Sequence, residues 1–307
     1  MYLDYFGLNE FPFSLTPNTQ FFLNMTSYHE AYNMLMVSLA NAEGFIKIVG
    51  EVGTGKTMLC RKVLNTLEED KENYVTAYIA NPMLTPKGLF LAFADEIGIE
   101  IHQNTGHHKL LKAITEKLVE YANDNKSVVL FVDEAHAMPE QTLEALRLLT
   151  NIETEKSKLF QVILFGQPEL DVMLHQSSLR QLLQRITFSY KIDTLDKSGV
   201  ERYVGHRLTT GGYNGPTLFS DSAMKLLYKF SQGVPRLVNV LCHKAMMVAF
   251  GKGDKLIKAS HMRLAISDTE GIEVVSNSRK LYYVAVTSMA VTVAVILVVY
   301  SLRGYFP

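Results

Sequence analysis

The sequence predicts an α/β fold: a parallel sheet covered by helices on both faces, then a small all-helical domain and one apolar C-terminal helix. Three observations carry this. Short apolar runs of β character alternate with helical patterns up to about residue 195. Beyond that point the periodic segments all read as helices, with no convincing strand between them. Finally, Leu281 to Leu302 is a run of 22 residues without a charge. Strands that read as continuous apolar runs belong to sheets buried on both sides, because crossover helices hide both faces.

The elements follow in order. Residues 1–26 are rich in Phe, Tyr, Pro and Asn, which predicts an irregular arm laid against the main domain. Ser27 to Ala42 reads as a helix, with Ser27 as cap and Glu30 at the capping-box position. FIKIVG (45–50) is a strand ending on glycine, and Lys56 to Leu67 the helix after it. NYVTAYIA (73–80) is a second strand, Pro86 opens a helix to about Ile97, and His107 to Asn123 is an amphipathic helix. SVVLFVDE (127–134) is an apolar strand running into two carboxylates. Pro139 starts a helix to about Asn151, FQVILFG (160–166) is a buried strand and ITFSYKI (186–192) a fifth. The helices of the second domain are expected over Lys197–Thr210, Asp221–Gln232, Pro235–Phe250 and Ala259–Asp268. The resulting division is an arm (1–26), an α/β domain (27–195), a helical domain (196–270), a linker (271–280) and a membrane span (281–302).

The span has an energetic argument. At 1.5 Å rise per residue its length matches the roughly 30 Å hydrocarbon layer. Nine Val, Ile or Leu residues lie between Val284 and Val299. They contribute roughly −3 to −5 kcal/mol toward insertion. Thr287, Ser288 and Thr292 return part of that, while Tyr282, Tyr283 and Tyr300 sit where rings favour the headgroup layer. The opening residues have no basic stretch and no uninterrupted apolar core, so no signal peptide is expected.

Composition excludes other classes. Hydrophobic residues make up 48% and charged residues 20%, which a disordered chain does not show. Thirty basic side chains against thirty-one acidic ones leave no excess to draw the chain onto polyanions, so no dedicated nucleic-acid binding is expected. Cys60 and Cys242 lie far apart in apolar helical runs, without the spacing of a zinc or redox pair.

The chemistry is carried by GEVGTGKT, which is Gly50, Glu51, Val52, Gly53, Thr54, Gly55, Lys56 and Thr57. It fits G-x-x-x-x-G-K-[ST] completely, between a strand and a helix. Such a loop wraps backbone N–H groups around phosphates, and the helix after it points its partly positive end at the same anion. Lys56 supplies a mobile charge to the β- and γ-phosphates, and the Thr57 hydroxyl a ligand for Mg²⁺. Asp133, at the end of the 127–134 strand, is placed to hold Mg²⁺ through water, and Glu134 to act as general base toward the attacking water. ATP and Mg²⁺ are therefore the expected ligands. His136 reads either as a nucleotide-sensing group or as a structurally bonded helix-entry histidine; His107 and His108 read as a solvated helix start.

The sequence resembles the AAA+ ATPases and, within them, the secretion ATPases of the ExeA/GspA type, including those of MSHA type IV pilus biogenesis. The resemblance rests on FGLNEFPFSLTPNTQFF, GFIKIVGEVGTGKTMLCRKVL, LFVDEAHAM, LFGQPELD, LRQLLQRITFSY and GVPRLVNVLC, and covers most of residues 1–245. It implies that Gln167 is a sensor of the γ-phosphate. It also implies that Arg180 or Arg185 is an arginine finger for a neighbouring subunit, and that Arg236 reaches back from the helical domain as a second sensor. A homo-oligomer, a ring or an ATP-dependent dimer, follows from the same likeness. So do inner-membrane pilus or secretion partners and an ATPase domain in the cytoplasm. Some relatives of this kind continue into a cell-wall-binding module; this sequence stops at Pro307, so that activity is not expected of it. Two alternatives stand beside this reading: a DNA-dependent ATPase of the transposition type, and a structural clamp gated by ATP occupancy.

Overall fold

The computed structural model describes residues 2–269 except 17, 24, 103–104 and 150–157. Its centre is one five-stranded sheet of β1 (Phe45–Gly50), β2 (Tyr74–Ile79), β3 (Ser127–Val132), β4 (Phe160–Gly166) and β5 (Ile186–Ile192). The spatial order is β2-β3-β4-β1-β5, and every neighbouring pair is parallel. All five strands therefore end along one edge. Because β4 lies between β1 and β3, the chain leaving β4 emerges between the loops that follow the other two.

Side chains alternate across these strands with period two. Ile46, Ile48, Val129, Phe131, Ile163 and Phe165 pack into one core, and Phe45, Val128, Leu130, Val132, Val162 and Leu164 into another on the opposite face. Helix α1 (Tyr2–Phe6) opens the chain; α2 (Thr26–Ala40) and α3 (Lys56–Glu69) cover the first face. The second face is covered by α4 (Pro86–Glu96), α5 (His107–Asn123) and α6 (Glu140–Leu149), with the short α7 (Glu169–Leu174) and α8 (Arg180–Leu183). Four helices follow: α9 (Lys197–Thr210), α10 (Asp221–Ser231), α11 (Pro235–Gly251) and α12 (Ala259–Ser267). Their buried residues, from Val200 to Ile266, are continuous with the first core. Cys60 and Cys242 are both free and buried in it.

Two expectations change. Helix α2 begins at Thr26, with Met25 as its N-cap and no side-chain cap. The Glu30 carboxylate accepts a 2.7 Å hydrogen bond from the Tyr190 hydroxyl on β5 instead of closing a capping box. The arm does not lie only on the main domain. Its first residues pack on the helical domain, where the Tyr2 hydroxyl donates to Met246 Sδ at 3.3 Å and Asn9 N–H donates to the Gly211 carbonyl at 2.9 Å. Among the described residues no helix is long and apolar enough to cross a membrane. The expected linker (271–280) and span (281–302) lie outside the described residues.

Candidate functional site

The GEVGTGKT loop leaves the C-terminal end of β1 and feeds directly into α3. Gly55 is the N-cap of that helix and supplies no side-chain cap, so its first-turn N–H groups keep their capacity for an anion. The loop is held from within: Thr54 N–H and Oγ1 both reach the Glu51 carbonyl, at 3.2 and 2.8 Å. Lys56, 5% exposed, donates to the carbonyls of Gly50 at 2.8 Å and Glu51 at 2.9 Å. Burial pulls the Lys56 pKa down, and Glu134, Asp133, Glu51 and Glu169 pull it back up. The Tyr28 hydroxyl, on α2, donates to the Thr54 carbonyl and pins the loop from the first face.

Two glycines bring the helical domain onto this loop. Gly53 has φ +80°, and a Cβ there would meet Arg236 Cβ at 2.6 Å. Gly233 has φ +74°, and a Cβ there would lie 1.9 Å from the Leu195 carbonyl oxygen. Only glycine suits both the backbone angle and the space. With them in place Arg236 N–H donates to the Gly53 carbonyl at 3.2 Å, and Gly233 accepts from Leu195 N–H at 2.9 Å. The N-terminal end of α11 thus sits against the phosphate loop, with the Arg236 side chain lining the same cavity.

Beyond β3 the backbone turns sharply. Asp133 N–H continues the ladder to the Ile79 carbonyl at 3.0 Å, and its carboxylate accepts Glu134 N–H at 2.9 Å. Glu134 is left-handed at φ 51°, ψ 36°, a cost of order 1–3 kcal/mol for a non-glycine residue, of the kind found at functional sites. Burial raises the Asp133 pKa, against hydrogen bonds from Thr57 and the Glu134 N–H that lower it. Gln167, just past β4, donates from Nε2 to Glu134 Oε2 at 3.3 Å. His136 Nδ1 lies 3.3 Å from the same oxygen and accepts Gln167 N–H at 3.4 Å. This bonded place fits the structural reading of His136. His107 leans against the Phe90 ring at 5.3 Å, away from the loop.

Thr57 and Asp133 supply a hydroxyl and a buried carboxylate already in contact with each other, oxygen donors that suit a hard cation. Among the described residues no group of three His, Cys, Asp or Glu side chains forms a metal site. Mg²⁺ does not need one, since it usually keeps waters and substrate phosphates as ligands.

Arg180 and Arg185 stand elsewhere. Arg180 opens α8 and is exposed, and Arg185 immediately precedes β5, whose first residue pairs with Phe45 at the start of β1. The sheet's length, about 20 Å at 3.3 Å per residue, separates that end from the loop. The structure therefore brings Lys56, Thr57, Asp133, Glu134, Gln167 and Arg236 together, leaves Arg185 at the far edge of the sheet, and gives neither arginine a place in the wall of the cavity beside the loop.

A cavity of about 410 Å³ is lined by the loop, by Glu134 and Gln167, and by residues the sequence did not point to. These are Phe21, Phe22, Leu23 and Met25 of the arm and Tyr203, Arg207 and Asn239 of the helical domain. Arg207 ties the two walls: its guanidinium donates to the carbonyls of Pro12 and, at 2.9 Å, Ser14. The aromatic density of the arm was the available signal, but nothing local linked it to α9 or α11.

Residues 40–174 match the AAA domain family. Over 272 residues, 89% of this chain, the sequence is 40% identical to general secretion pathway protein A of Aeromonas hydrophila, and it spans 49% of that relative's length. Similar solved structures include Cdc6p from Pyrobaculum aerophilum, with TM-score 0.67, 17% identity, and coverage of 84% of this chain and 70% of that one. The ADP form of the Aeropyrum pernix ORC2 protein gives 0.63, 16%, 86% and 74%. The RuvB Holliday junction branch migration motor of Thermotoga maritima gives 0.52, 16%, 78% and 68%. At these identities the likeness to the solved structures is one of fold. The chain belongs to the AAA ATPases and, among them, to the relatives of general secretion pathway protein A.

Proposed function

We propose that the chain is a membrane-anchored ATPase, its catalytic domain in the cytoplasm, that binds and hydrolyses ATP to assist assembly of an MSHA-type IV pilus or a related secretion apparatus. The observation that carries the reading is the meeting of three neighbouring strand ends. The phosphate loop, the Asp133–Glu134 pair and Gln167 converge there in a relative of a secretion-pathway protein.

In this reading Gly50 to Thr57 hold the triphosphate through backbone N–H groups, and Lys56 exchanges its two loop carbonyls for phosphate oxygens. Thr57 and Asp133 hold Mg²⁺, which when bound neutralises charge on the β- and γ-phosphates. The Glu134 carboxylate accepts the proton of the attacking water, and Gln167 orients that carboxylate and reports on the γ-phosphate. Arg236 reaches the phosphates from α11, so nucleotide occupancy is felt by the helical domain. Arg185, whose own loop lies at the other end of the sheet, or else Arg180, acts on the site of a second copy. A guanidinium suits that role: it is always charged and pairs with phosphate oxygens two at a time. A homo-oligomer, a ring or an ATP-dependent dimer, follows.

The anchor rests on the uncharged run 281–302, flanked by Arg279 and Lys280 before it and Arg303 after it. Protease added to intact spheroplasts should spare residues 1–280 and digest them only after the membrane is broken. Removing 281–307 should release a soluble chain that still hydrolyses ATP. Digestion in intact spheroplasts overturns the orientation, and full-length protein in the soluble fraction overturns the anchor.

A further inference from the structure

The connection from β4 to β5 has to cross β1, because β1 lies between the two strands. It crosses on the second face, and it begins with Gln167 and helix α7. Its seating there is mostly apolar: Leu170 and Leu174 of α7 are buried in the second core. Leu170 sits so low that a Cβ on Gly166 would meet its Cδ2 at 2.7 Å. Apolar burial is non-directional, so it holds the helix down without fixing where it sits along the strand.

One polar contact does fix it. Among the described residues Lys47 is the one charged side chain that β1 to β4 carry. It stands between Phe45 and Val49, which face the second core, and its side chain is 7% exposed. Its ammonium is ion-paired with the Asp171 carboxylate on α7, which is 38% exposed. A cation buried in a sheet is costly to desolvate, and an apolar residue of similar length would serve stability as well; what such a pair supplies is register. Asp171 is tied to Gln167 by a single turn of backbone. The Gln167 carbonyl accepts Leu170 N–H at 2.9 Å, and the Pro168 carbonyl accepts Asp171 N–H at 3.0 Å. The Gln167 amide lies 3.3 Å from Glu134 Oε2, at the long limit for an N–H donor, so a small shift of α7 breaks that bond.

We propose that Lys47 and Asp171 are a positioning pair: they fix the register of α7 on β1 and thereby hold Gln167 against the Glu134 carboxylate. The proposal rests on the reading above in which Gln167 orients Glu134, and adds what holds Gln167 in place. Neither Lys47 nor Asp171 lines the cavity beside the loop, so both act on hydrolysis through Gln167 and leave nucleotide binding to the loop.

The test is ATP affinity and phosphate release of the full-length chain for the wild type, Lys47→Met, Gln167→Ala and the double variant. Methionine fills the space of the lysine stem, and Asp171 reaches solvent, so neither partner is stranded. Lys47→Met should bind ATP within about twofold of the wild type and release phosphate about 10–100-fold more slowly, the scale of a misplacement on the order of 1 Å. Gln167→Ala should lose a similar amount. In that background Lys47→Met should change phosphate release by less than about twofold, because no amide is left to misplace. A merely structural role would lower release in both backgrounds, so losses that multiply overturn the proposal. If Lys47→Met does not fold, Asp171→Asn takes its place in the same cycle and is judged by the same outcomes. Wild-type release from Gln167→Ala overturns the Gln167 reading and this proposal together. Loss in Gln167→Ala with none in Lys47→Met overturns this proposal alone.

Discussion

Arg207→Met removes the tie between the arm and the helical domain. Arg207 is 3% exposed, and burial pushes its pKa down, so the fold holds this charge at a cost. Offsetting it are bonds to the carbonyls of Pro12 and Ser14 and to the Tyr203 hydroxyl, and the Phe21 ring 4.6 Å away. Methionine keeps much of the stem and removes the desolvation cost, but strands two carbonyls. Hydrogen bonds to a charged group contribute about 1.5–3 kcal/mol each, so after the relief of burial the net loss is about 2–4 kcal/mol. For a domain of this size that lowers Tm by on the order of 10 °C. The arm forms part of the cavity wall, so ATP affinity should fall about tenfold while the phosphate loop stays intact. Thermal unfolding, limited proteolysis of residues 1–26 and nucleotide titration read the three effects. Arg207→Lys, with charge but no fork, should fall between the two. An Arg207→Met protein with wild-type Tm and an arm cleaved no faster refutes the reasoning.

Two further substitutions test the site. Burial raises the Asp133 pKa above the ordinary carboxylate value, so above that pKa the folded state penalises the anion. The nucleotide-free Asp133→Asn protein should therefore unfold at a higher temperature than the wild type near about pH 8, with the gain shrinking as acid protonates the wild-type group. Thermal scans across pH check this, and a less stable variant at about pH 8 contradicts it. Arg185→Ala should leave ATP affinity nearly unchanged and lower turnover about 10³-fold or more, the scale of an arginine finger. Mixing it with Lys56→Ala chains should restore part of the activity; mixed assemblies that recover none would rule out action across a subunit boundary.

What was legible in the sequence was local. FIKIVG, FQVILFG and ITFSYKI read as strands because residues buried between two helical layers leave continuous apolar runs, and the structure places all three at the bounds expected. The phosphate loop was legible because its chemistry lies in the backbone of eight consecutive residues. The strand order β2-β3-β4-β1-β5 was not, since nothing in a strand's own pattern says which neighbour it takes. Helices α7 and α8, of six and four residues, are too short to show a helical period. The misread cap of α2 has the same origin. Ser27 and Glu30 carry the right spacing, but Glu30 is claimed by Tyr190, 160 residues away. Nothing local to Arg207 signals its burial, because the arm that buries it returns from 195 residues earlier in the chain.

The central claim is that this cavity binds ATP and that Glu134 activates the water that cleaves it. The most direct measurement is ATP affinity and phosphate release on the same Glu134→Gln preparation. Its side chain keeps the size and left-handed backbone of the original and loses only the basic oxygen. Binding should stay within about twofold of the wild type while phosphate release falls about 10²–10⁴-fold, the span that general base catalysis commands. Unchanged phosphate release from Glu134→Gln would contradict the account.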